Sequence, residues 1–378
     1  MVNCEKTNKK NITKIIEKII YQFRNNLKDE VLIKPNWGGR LPIIPGENTE
    51  TYFLKILTDV ISNYKVKKIY IAHYSLLKIE NRDYSFEQLL KITRANRVKF
   101  PKLVEFLNLD NVEKEIVKIG EFNFNLPKII KNVYYINLSK LKTHMETKVS
   151  LCLKNQMGLL PTDDKLFIHR NDLEKGIASL ASILKPDLCI IDGIISMDKD
   201  GPHHGRTRKT HILVYSDNIV EADALGSYLM NYDPSEIRHI KVAENFGIGK
   251  IPSRDNLENY KEYKLKKFVL PKEYLKKLNL IIWPTTACSK CIFSLDQAKR
   301  YLKRDPFLLF KLLISKNDSY NIVLGKADNL KNKSFLKIIT IGECTKSFAE
   351  EKKVEYLRGC PPEAKIIYQF IKNTINKK

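Results

Sequence analysis

Residues 142–158 (KTHMETKVSLCLKNQMG) contain side chains that could do chemistry, in a pattern that fits neither an amphipathic helix nor a core strand. His144, Lys154 and Asn155 occur here, and His169 follows in PTDDKLFIHRND. A lysine beside an amide can offer a fixed charge and a dipole to an anionic or carbonyl-bearing ligand. Imidazoles transfer protons near neutral pH or bind a metal. We therefore predict a strand-to-loop segment whose His144, Lys154 and Asn155 face a polar cleft, with His169 as a further candidate.

A second polar group follows an apolar run in IIDGIISMDKDGPHHG, residues 190–205. Asp192 and the Gly201–His204 loop come at the end of this predicted strand. Open α/β sheets bind ligands at the carboxyl ends of their parallel strands, so these residues are expected to share the cleft of the preceding segment. Aspartate with histidine could bind a divalent cation or serve as acid and base. The alternative is a glycine-proline turn that carries polar residues.

Four of the seven cysteines lie in the last hundred residues. Cys288 and Cys291 form a C-x-x-C pair, and Cys344 and Cys360 follow in GECTK and RGCPPE. Four thiolates suffice for a 4Fe-4S cluster or, as the alternative, for a zinc ion. We predict that the four sulfur atoms converge, within roughly 6–7 Å around a cluster or about 4 Å around zinc. The opposing interpretation makes Cys344 and Cys360 buried core residues.

Alternating strand-like and helical segments must position these groups. VLIKPN and KKIYIAH flank the helical pattern TYFLKILTDVISNY, and NVYYINLSKLK, DLCIIDGIISM and THILVYS read as further strands. This order predicts an α/β fold with a mostly parallel sheet covered by helices, in a domain over residues 1–265. A lysine-rich linker then leads into a small cysteine-containing metal or iron-sulfur domain, residues 279–378.

Composition limits the classes of partner. The formal net charge is +23, but the lysines are spread over the whole length, which favours a solvated surface over a nucleic-acid footprint. The sequence has no apolar run long enough to span a membrane and no signal-peptide pattern at its start. We therefore expect a cytoplasmic protein that binds neither membrane nor nucleic acid.

An ordered series of motifs resembles the domain-of-unknown-function 362 family: VLIKPN, LSKLKTH, LKNQMGLLP, FIH, IIDGI, DGP and SDNIVEADALG. The resemblance covers about residues 30–250. Members of that family are often described as iron-sulfur proteins, which implies a cluster in this chain. A weaker resemblance is to lactate racemase-like proteins, in which a lysine holds a nickel-pincer nucleotide and a histidine binds nickel. It implies those roles for Lys154 and for His144 or His169.

The leading hypothesis is a cytoplasmic iron-sulfur redox enzyme that acts on a small anionic or carbonyl-bearing substrate. Lys154, Asn155 and Asp192 would line its site, His144 or His169 would transfer protons, and a protein such as ferredoxin would donate electrons. The alternative is a non-redox binding or assembly protein with structural zinc and a basic partner-binding surface.

Overall fold

The computed structural model describes two compact units, residues 1–271 and 272–378. The structure describes residues 2–8, 10–38, 43–79, 82–144, 146–199, 201–202, 205–270, 279–283, 285, 287, 289–314 and 319–377. Within these ranges the side chains of 76–79, 82–84, 170, 289, 293, 296, 300 and 303 are outside the description. Part of the predicted linker, residues 271–278, lies outside the described residues.

The first unit is built on one large sheet. Its strands and those of two small hairpins are β1 (Val2–Lys6), β2 (Glu30–Pro35), β3 (Lys68–His73), β4 (Leu76–Ile79), β5 (Arg82–Tyr84), β6 (Val104–Asn108), β7 (Lys114–Ile119), β8 (Phe122–Pro127), β9 (Tyr134–His144), β10 (Lys148–Ser150), β11 (Leu188–Asp198) and β12 (Arg206–Ser216). The order in the large sheet is β1-β12-β11-β9-β2-β3-β6, with β10 paired to β9. Neighbours from β11 to β6 run parallel, so the prediction of a mostly parallel sheet is confirmed.

Strand β12 is antiparallel to β11 and to β1. The connection from β11 to β12 has too few residues for the crossover that a parallel pair requires, because such a crossover takes a dozen or more. The predicted strand THILVYS forms within β12, but it runs antiparallel to β11.

Nine helices of the described residues belong to this unit. They are α1 (Ile12–Phe23), α2 (Thr51–Ile61), α3 (Phe86–Ile92), α4 (Cys152–Asn155), α5 (Thr162–Arg170), α6 (Leu173–Ile183), α7 (Ile219–Leu229), α8 (Arg238–Asn245) and α9 (Arg254–Glu258). None of the helices in the described part of the chain has the length and apolar content needed to cross a membrane.

Side chains that alternate along the strands fill two cores, one on each face of the sheet. Ile33 and Ile71 pack with apolar residues of α1 and α2. Leu32 and Ile191 point to the opposite face, where they pack in the core that includes α6 and α7. Both faces of the parallel strands are therefore covered, as the sequence pattern predicted.

The order in which successive strands are added to the sheet changes direction at β2. From β2 it continues to β3 and β6 on one side, and it returns to β9 and then β11 on the other. In open α/β sheets such a reversal leaves a crevice at the carboxyl ends of the two strands, where ligands bind. Here β2 ends at Pro35 opposite Leu138 while β9 continues to His144, so a crevice is expected beside β9, beyond the end of β2.

The second unit is also α/β. Strands β13 (Leu280–Trp283), β14 (Tyr320–Leu324), β15 (Lys337–Ile341) and β16 (Tyr356–Leu357) form a parallel sheet in sequence order. Its helices are α10 (Ser289–Lys303), α11 (Pro306–Ile314), α12 (Lys346–Glu351) and α13 (Ala364–Asn376). Val323, Leu330 and Phe348 belong to an apolar core of this unit. The described part of this unit is thus organised by a sheet with its own core.

Candidate functional site

A network of three asparagines lies at the crevice. The Asn155 amide donates to Asn137 Oδ1 at 2.8 Å and to the carbonyl oxygens of Lys34 and Leu138 at 3.2 and 3.3 Å. Asn36 Nδ2 donates to Asn155 Oδ1 at 2.9 Å. Asn155 is 5% exposed, so the crevice places this predicted residue among protein partners from β2 and β9. Its amide thereby bridges the end of β2 and the middle of β9.

The segment that carries Asn155 differs from the predicted strand-to-loop conformation. After β9 ends at His144, β10 folds back on it with Lys148 opposite His144, and α4 follows. The carboxylate of Asp223 accepts hydrogen bonds from the N–H groups of Cys152 and Leu153, at 2.7 and 3.0 Å. Burial raises the pKa of Asp223 to about 7 against these two bonds. The helix is too short to be stable alone, and this distant cap explains why sequence periodicity missed it.

Lys142, on β9, binds two acceptors in the segment that follows Lys34. Its ammonium group donates to Asn36 Oδ1 at 2.7 Å and to the backbone carbonyl of Glu47 at 2.9 Å. Burial lowers the pKa of Lys142 to about 8; the Glu47 carboxylate acts against this shift, and the charges of Lys140 and Lys154 add to it. Lys142 is therefore surrounded by positive charge as well as by acceptors.

Lys34, the fourth residue of VLIKPN, is buried at the end of β2 with 1% of its surface exposed. Its ammonium nitrogen donates to the carbonyl of Pro35 at 2.6 Å. Burial lowers the pKa of Lys34 well below its usual value, and the charges of Lys165 and Lys142 lower it further. A Cβ at Gly158 would lie 2.7 Å from Lys34 Nζ. Glycine at 158 thus leaves the space that the lysine end occupies.

His73 lies at the end of β3, next to β2. Its Nδ1 is 2.7 Å from the backbone carbonyl of Tyr74, so Nδ1 carries a proton. Burial lowers the pKa of His73 well below its usual value, with a further contribution from the charge of Lys34. The imidazole is therefore neutral at physiological pH.

Asp192 forms a buried ion pair on the neighbouring strand β11. Its Oδ2 accepts a hydrogen bond from Lys140 Nζ at 2.9 Å, and its Oδ1 accepts the N–H of Ile194 at 3.0 Å. Both charged side chains are almost fully buried. The predicted acid-base residue therefore has a structural ionic partner.

The predicted neighbour of Asp192, the loop after β11, is described only in part. His203 and His204 lie outside the described residues. Gly201 packs against Thr143, because a Cβ there would lie 2.4 Å from the Thr143 carbonyl oxygen. The start of this loop thus lies beside the end of β9, as expected.

The predicted histidines lie near Glu146. His144 Nδ1 accepts the backbone N–H groups of Glu146 and Thr147 at 3.2 and 3.4 Å, so a neutral ring carries its proton on Nε2. His169 Nδ1 lies 3.6 Å from a Glu146 carboxylate oxygen. Burial lowers the pKa of Lys154, and Glu146 opposes that shift. These three predicted residues therefore have Glu146 as a shared neighbour.

One buried histidine near Lys154 was not predicted. His239, on α8, is fully buried, and neither ring nitrogen has a hydrogen-bond partner among the described residues. Burial lowers the pKa of His239 to about 3, and the charge of Lys154 contributes. The charge of Lys154 therefore acts on both His239 and Lys142, and the Glu146 carboxylate acts on Lys154.

Sequence reasoning missed several residues that form the crevice: Lys34, Asn36, Glu47, His73 and Lys142. A signal was available for some of them. KPN directly after a buried apolar run, and lysines alternating along LSKLKTH, put cations at the ends of predicted parallel strands. The prediction of a diffuse, solvated lysine surface is therefore wrong for Lys34 and Lys142, which are buried.

In the second unit, Cys288 lies outside the described residues, so convergence of the four predicted ligands stays a prediction. The Sγ of Cys291, a buried residue, is 3.5 Å from where a Cβ on Gly342 would lie. Gly342 precedes the turn that carries Cys344. The structure thus brings the Cys291 and Cys344 segments together.

Cys360 is connected to the same turn through its neighbour in sequence. The backbone N–H of Glu343 donates to the carbonyl of Gly359 at 3.2 Å, and the N–H of Gly359 donates to a Glu343 carboxylate oxygen at 3.1 Å. Among the described residues, however, no three His, Cys, Asp or Glu side chains are grouped as a metal site.

The fold and the crevice define an α/β protein with a cationic site at the carboxyl edge of its sheet. The chain belongs to the family described as "Domain of unknown function (DUF362)", whose model matches residues 31–228. That range includes the buried lysines, the asparagine network and the Lys140–Asp192 pair. The predicted family is thereby confirmed.

A curated relative shares part of this region. The chain is 29% identical over 119 residues to "Thylakoid-associated protein sll1697" of Synechocystis sp., a match that covers 30% of this chain and 37% of the relative. The chain thus matches little more than a third of that relative's length. No solved structure matches significantly.

Proposed function

We propose that the first unit is an enzyme domain that binds a small anionic or carbonyl-bearing substrate in the crevice between β2 and β9. The observation that carries this proposal is a group of lysines near one sheet edge: Lys34, Lys140 and Lys142 are buried, Lys154 is partly buried, and Lys165 lies in electrostatic range. Burying a cation without an ionic partner is costly.

The carboxylates around these lysines do not balance their charge. Asp192 neutralises Lys140, Glu47 lies near Lys142, and Glu146 lies near Lys154. Lys34 adds positive charge to the same cluster, and no carboxylate of the described residues lies within ion-pair distance of it. An excess of positive charge matches an anionic ligand, such as a phosphate ester or a carboxylate. Fixed ammonium groups in this setting also stabilise negative charge that develops on a carbonyl oxygen.

Replacing Lys142 with methionine is expected to weaken the binding of a dianion by about 10- to 100-fold. The variant loses a charged hydrogen-bond donor, worth roughly 1.5–3 kcal/mol. The measurement is titration calorimetry of the full chain with inorganic phosphate and with oxalate. Lys185→Met is the matched control, since Lys185 is exposed and precedes β11 at the other edge of the sheet.

Thermal unfolding without anion shows whether Lys142→Met keeps its fold. If neither phosphate nor oxalate binds the natural chain, or if Lys142→Met and Lys185→Met bind equally, the proposed anion site is wrong. Saturable binding lost only with Lys142→Met supports it.

We further propose a redox function that uses a 4Fe-4S cluster on Cys288, Cys291, Cys344 and Cys360. Two observations support it: the Cys291 sulfur packs on Gly342, and the Gly342 turn hydrogen-bonds to the segment before Cys360. When bound, such a cluster would supply one-electron transfer. Zinc, the alternative that the same ligands allow, would give a structural centre without redox activity.

Metal analysis and visible absorption of anaerobically purified protein test this centre. We expect about four iron atoms per chain, and Cys291→Ser is expected to lose most of the iron and the visible colour. Cys4→Ser is the matched control, because Cys4 is also buried but lies in the first unit. One zinc per chain would replace the redox proposal with the structural alternative, and absence of both metals would contradict the site.

A further inference from the structure

Helix α11 of the second unit is apolar on nearly every side. Leu308 and Leu312 are buried. Four further apolar side chains of this helix are exposed: Phe307 by 85%, Phe310 by 64%, Leu313 by 51% and Ile314 by 61%. A helix that is hydrophobic all round is normally buried all round. The described residues of the chain leave the outer side of α11 uncovered.

The four exposed side chains form one continuous surface, which we call the α11 face. Residues three and four apart are neighbours on a helix, so Phe310 lies beside Phe307, Leu313 and Ile314. Single exposed apolar residues are ordinary, whereas a contiguous group marks a contact with a partner or a membrane. The α11 face is therefore a docking surface.

The border of the α11 face is cationic. Lys311 comes four residues after Phe307 and three before Ile314, so it lies at the edge of the face. Its ammonium group donates to the neutral Asn376 Oδ1 at 2.9 Å. Arg304, also exposed, comes just before the helix. Apolar and positively charged groups are thus presented together.

The acidic residue of this segment is neutralised inside the unit. Asp305 is the single acid in residues 299–316, among several lysines and arginines. It is buried, and its Oδ2 accepts hydrogen bonds from Lys372 Nζ at 2.8 Å and from the Tyr368 hydroxyl at 2.7 Å. The segment therefore presents positive charge outward.

This charge distinguishes between the occupants that an apolar face could take. In a two-fold symmetric dimer a patch meets itself, so the borders with Arg304 and Lys311 would meet with like charge, which opposes association. A bilayer with anionic lipids offers negative charge at its surface and an apolar layer directly beneath. The bilayer is complementary to both parts of the α11 face.

We propose that the α11 face docks the protein on the surface of a membrane that contains anionic lipids. Phe307 and Phe310 enter the boundary between headgroups and acyl chains, about 5–10 Å deep. Lys311 and Arg304 stay at the level of the charged headgroups. The expectation of no membrane binding rested on the lack of a spanning apolar run, which surface attachment does not require.

Flotation of the full chain with lipid vesicles tests this inference. We expect binding to vesicles of phosphatidylcholine with about 30% phosphatidylserine, weakened by salt, and little binding to phosphatidylcholine alone. The double variant Phe307→Ser, Phe310→Ser is expected to bind the mixed vesicles at least about tenfold more weakly, because two rings no longer leave water. Leu336→Ser is the matched control, since Leu336 is 82% exposed in the same unit but outside α11.

The cationic border needs a separate variant, because a chain with a net charge of +23 also attracts anionic lipids through its whole surface. Lys311→Glu is expected to weaken binding at least about tenfold, since it replaces attraction to the headgroups by repulsion. Lys346→Glu makes the same change of charge on α12, where the lysine is also exposed. Its effect is expected to be less than about half as large in fold-change.

Insertion is measured by fluorescence. With vesicles whose phosphatidylcholine is brominated on the acyl chains, Phe310→Trp is expected to show quenching that Leu336→Trp does not. The natural tryptophans, Trp37 and Trp283, contribute equally to both variants.

Thermal unfolding shows that the variants keep their fold, as expected for exposed positions. The proposal is wrong if the natural chain does not bind the mixed vesicles, or if the double variant or Lys311→Glu binds no more weakly than its control. It is also wrong if Phe310→Trp is not quenched, or if sedimentation shows that the natural chain is a dimer and the double variant a monomer, since the face then joins two copies.

Discussion

Replacing Asp192 with alanine is expected to lower the free energy of unfolding by about 3–5 kcal/mol, the usual cost of leaving one partner of a buried ion pair without the other. Lys140 and Asp192 are almost fully buried, with 2.9 Å between the lysine nitrogen and the carboxylate. The variant strands the Lys140 ammonium and also loses the bond from the Ile194 N–H. Urea denaturation at pH 7 measures the effect.

Two comparisons separate this effect from a general loss of charge. Adding Lys140→Met to Asp192→Ala is expected to restore most of the stability, because the stranded cation is then gone. Glu121→Ala breaks an exposed pair with Lys175 and should cost no more than about 1 kcal/mol. A loss from Asp192→Ala as small as that from Glu121→Ala would contradict the buried-pair assignment.

Replacing Lys34 with methionine is expected to have the opposite sign and to raise the free energy of unfolding by roughly 1–4 kcal/mol at pH 7 without ligand. Methionine fills similar space without a charge that must be desolvated beside Lys142 and Lys165. The same variant is expected to lose ligand binding. Such a gain in stability at the expense of function is common where a site is strained or charged.

The pH dependence gives a second measure of the Lys34 effect. The folded pKa of Lys34 lies below its unfolded value of about 10.4. Between those two values the unfolded chain binds more protons, so the free energy of unfolding rises with pH in that window. Lys142 contributes in the same direction between about 8 and its unfolded pKa. Lys34→Met should therefore show a smaller rise than the natural chain.

Lys185→Met serves as control here too, since an exposed lysine should change stability by less than about 0.5 kcal/mol at any of these pH values. If Lys34→Met is less stable than the natural chain at pH 7, the ammonium group stabilises the fold and the crevice does not carry excess positive charge.

The regular elements could be predicted because each has a local pattern. The apolar run of VLIKPN predicted a strand at residues 31–36, and β2 spans Glu30–Pro35. TYFLKILTDVISNY predicted the helix that forms as Thr51–Ile61. Apolar alternation and helical spacing are properties of a short window, so no knowledge of distant contacts was needed.

The site was harder to predict because its energetics come from contacts between distant residues. Lys34 and Lys142 look like ordinary lysines in a basic sequence, and only the assembled fold shows that they are buried. Asp192 was predicted to end its strand, but β11 continues to Asp198, and the ion pair of Asp192 with Lys140 depends on strand pairing. Asn155 was predicted to meet a ligand, whereas the structure gives its amide several protein partners.

The cap that Asp223 provides for α4 also orders events during synthesis. Asp223 lies 71 residues after Cys152 in the chain, so a ribosome has already released β11 and β12 before the helix with Lys154 and Asn155 obtains its cap. A chain that stops before residue 223 therefore carries the lysines of the crevice without the cap of α4.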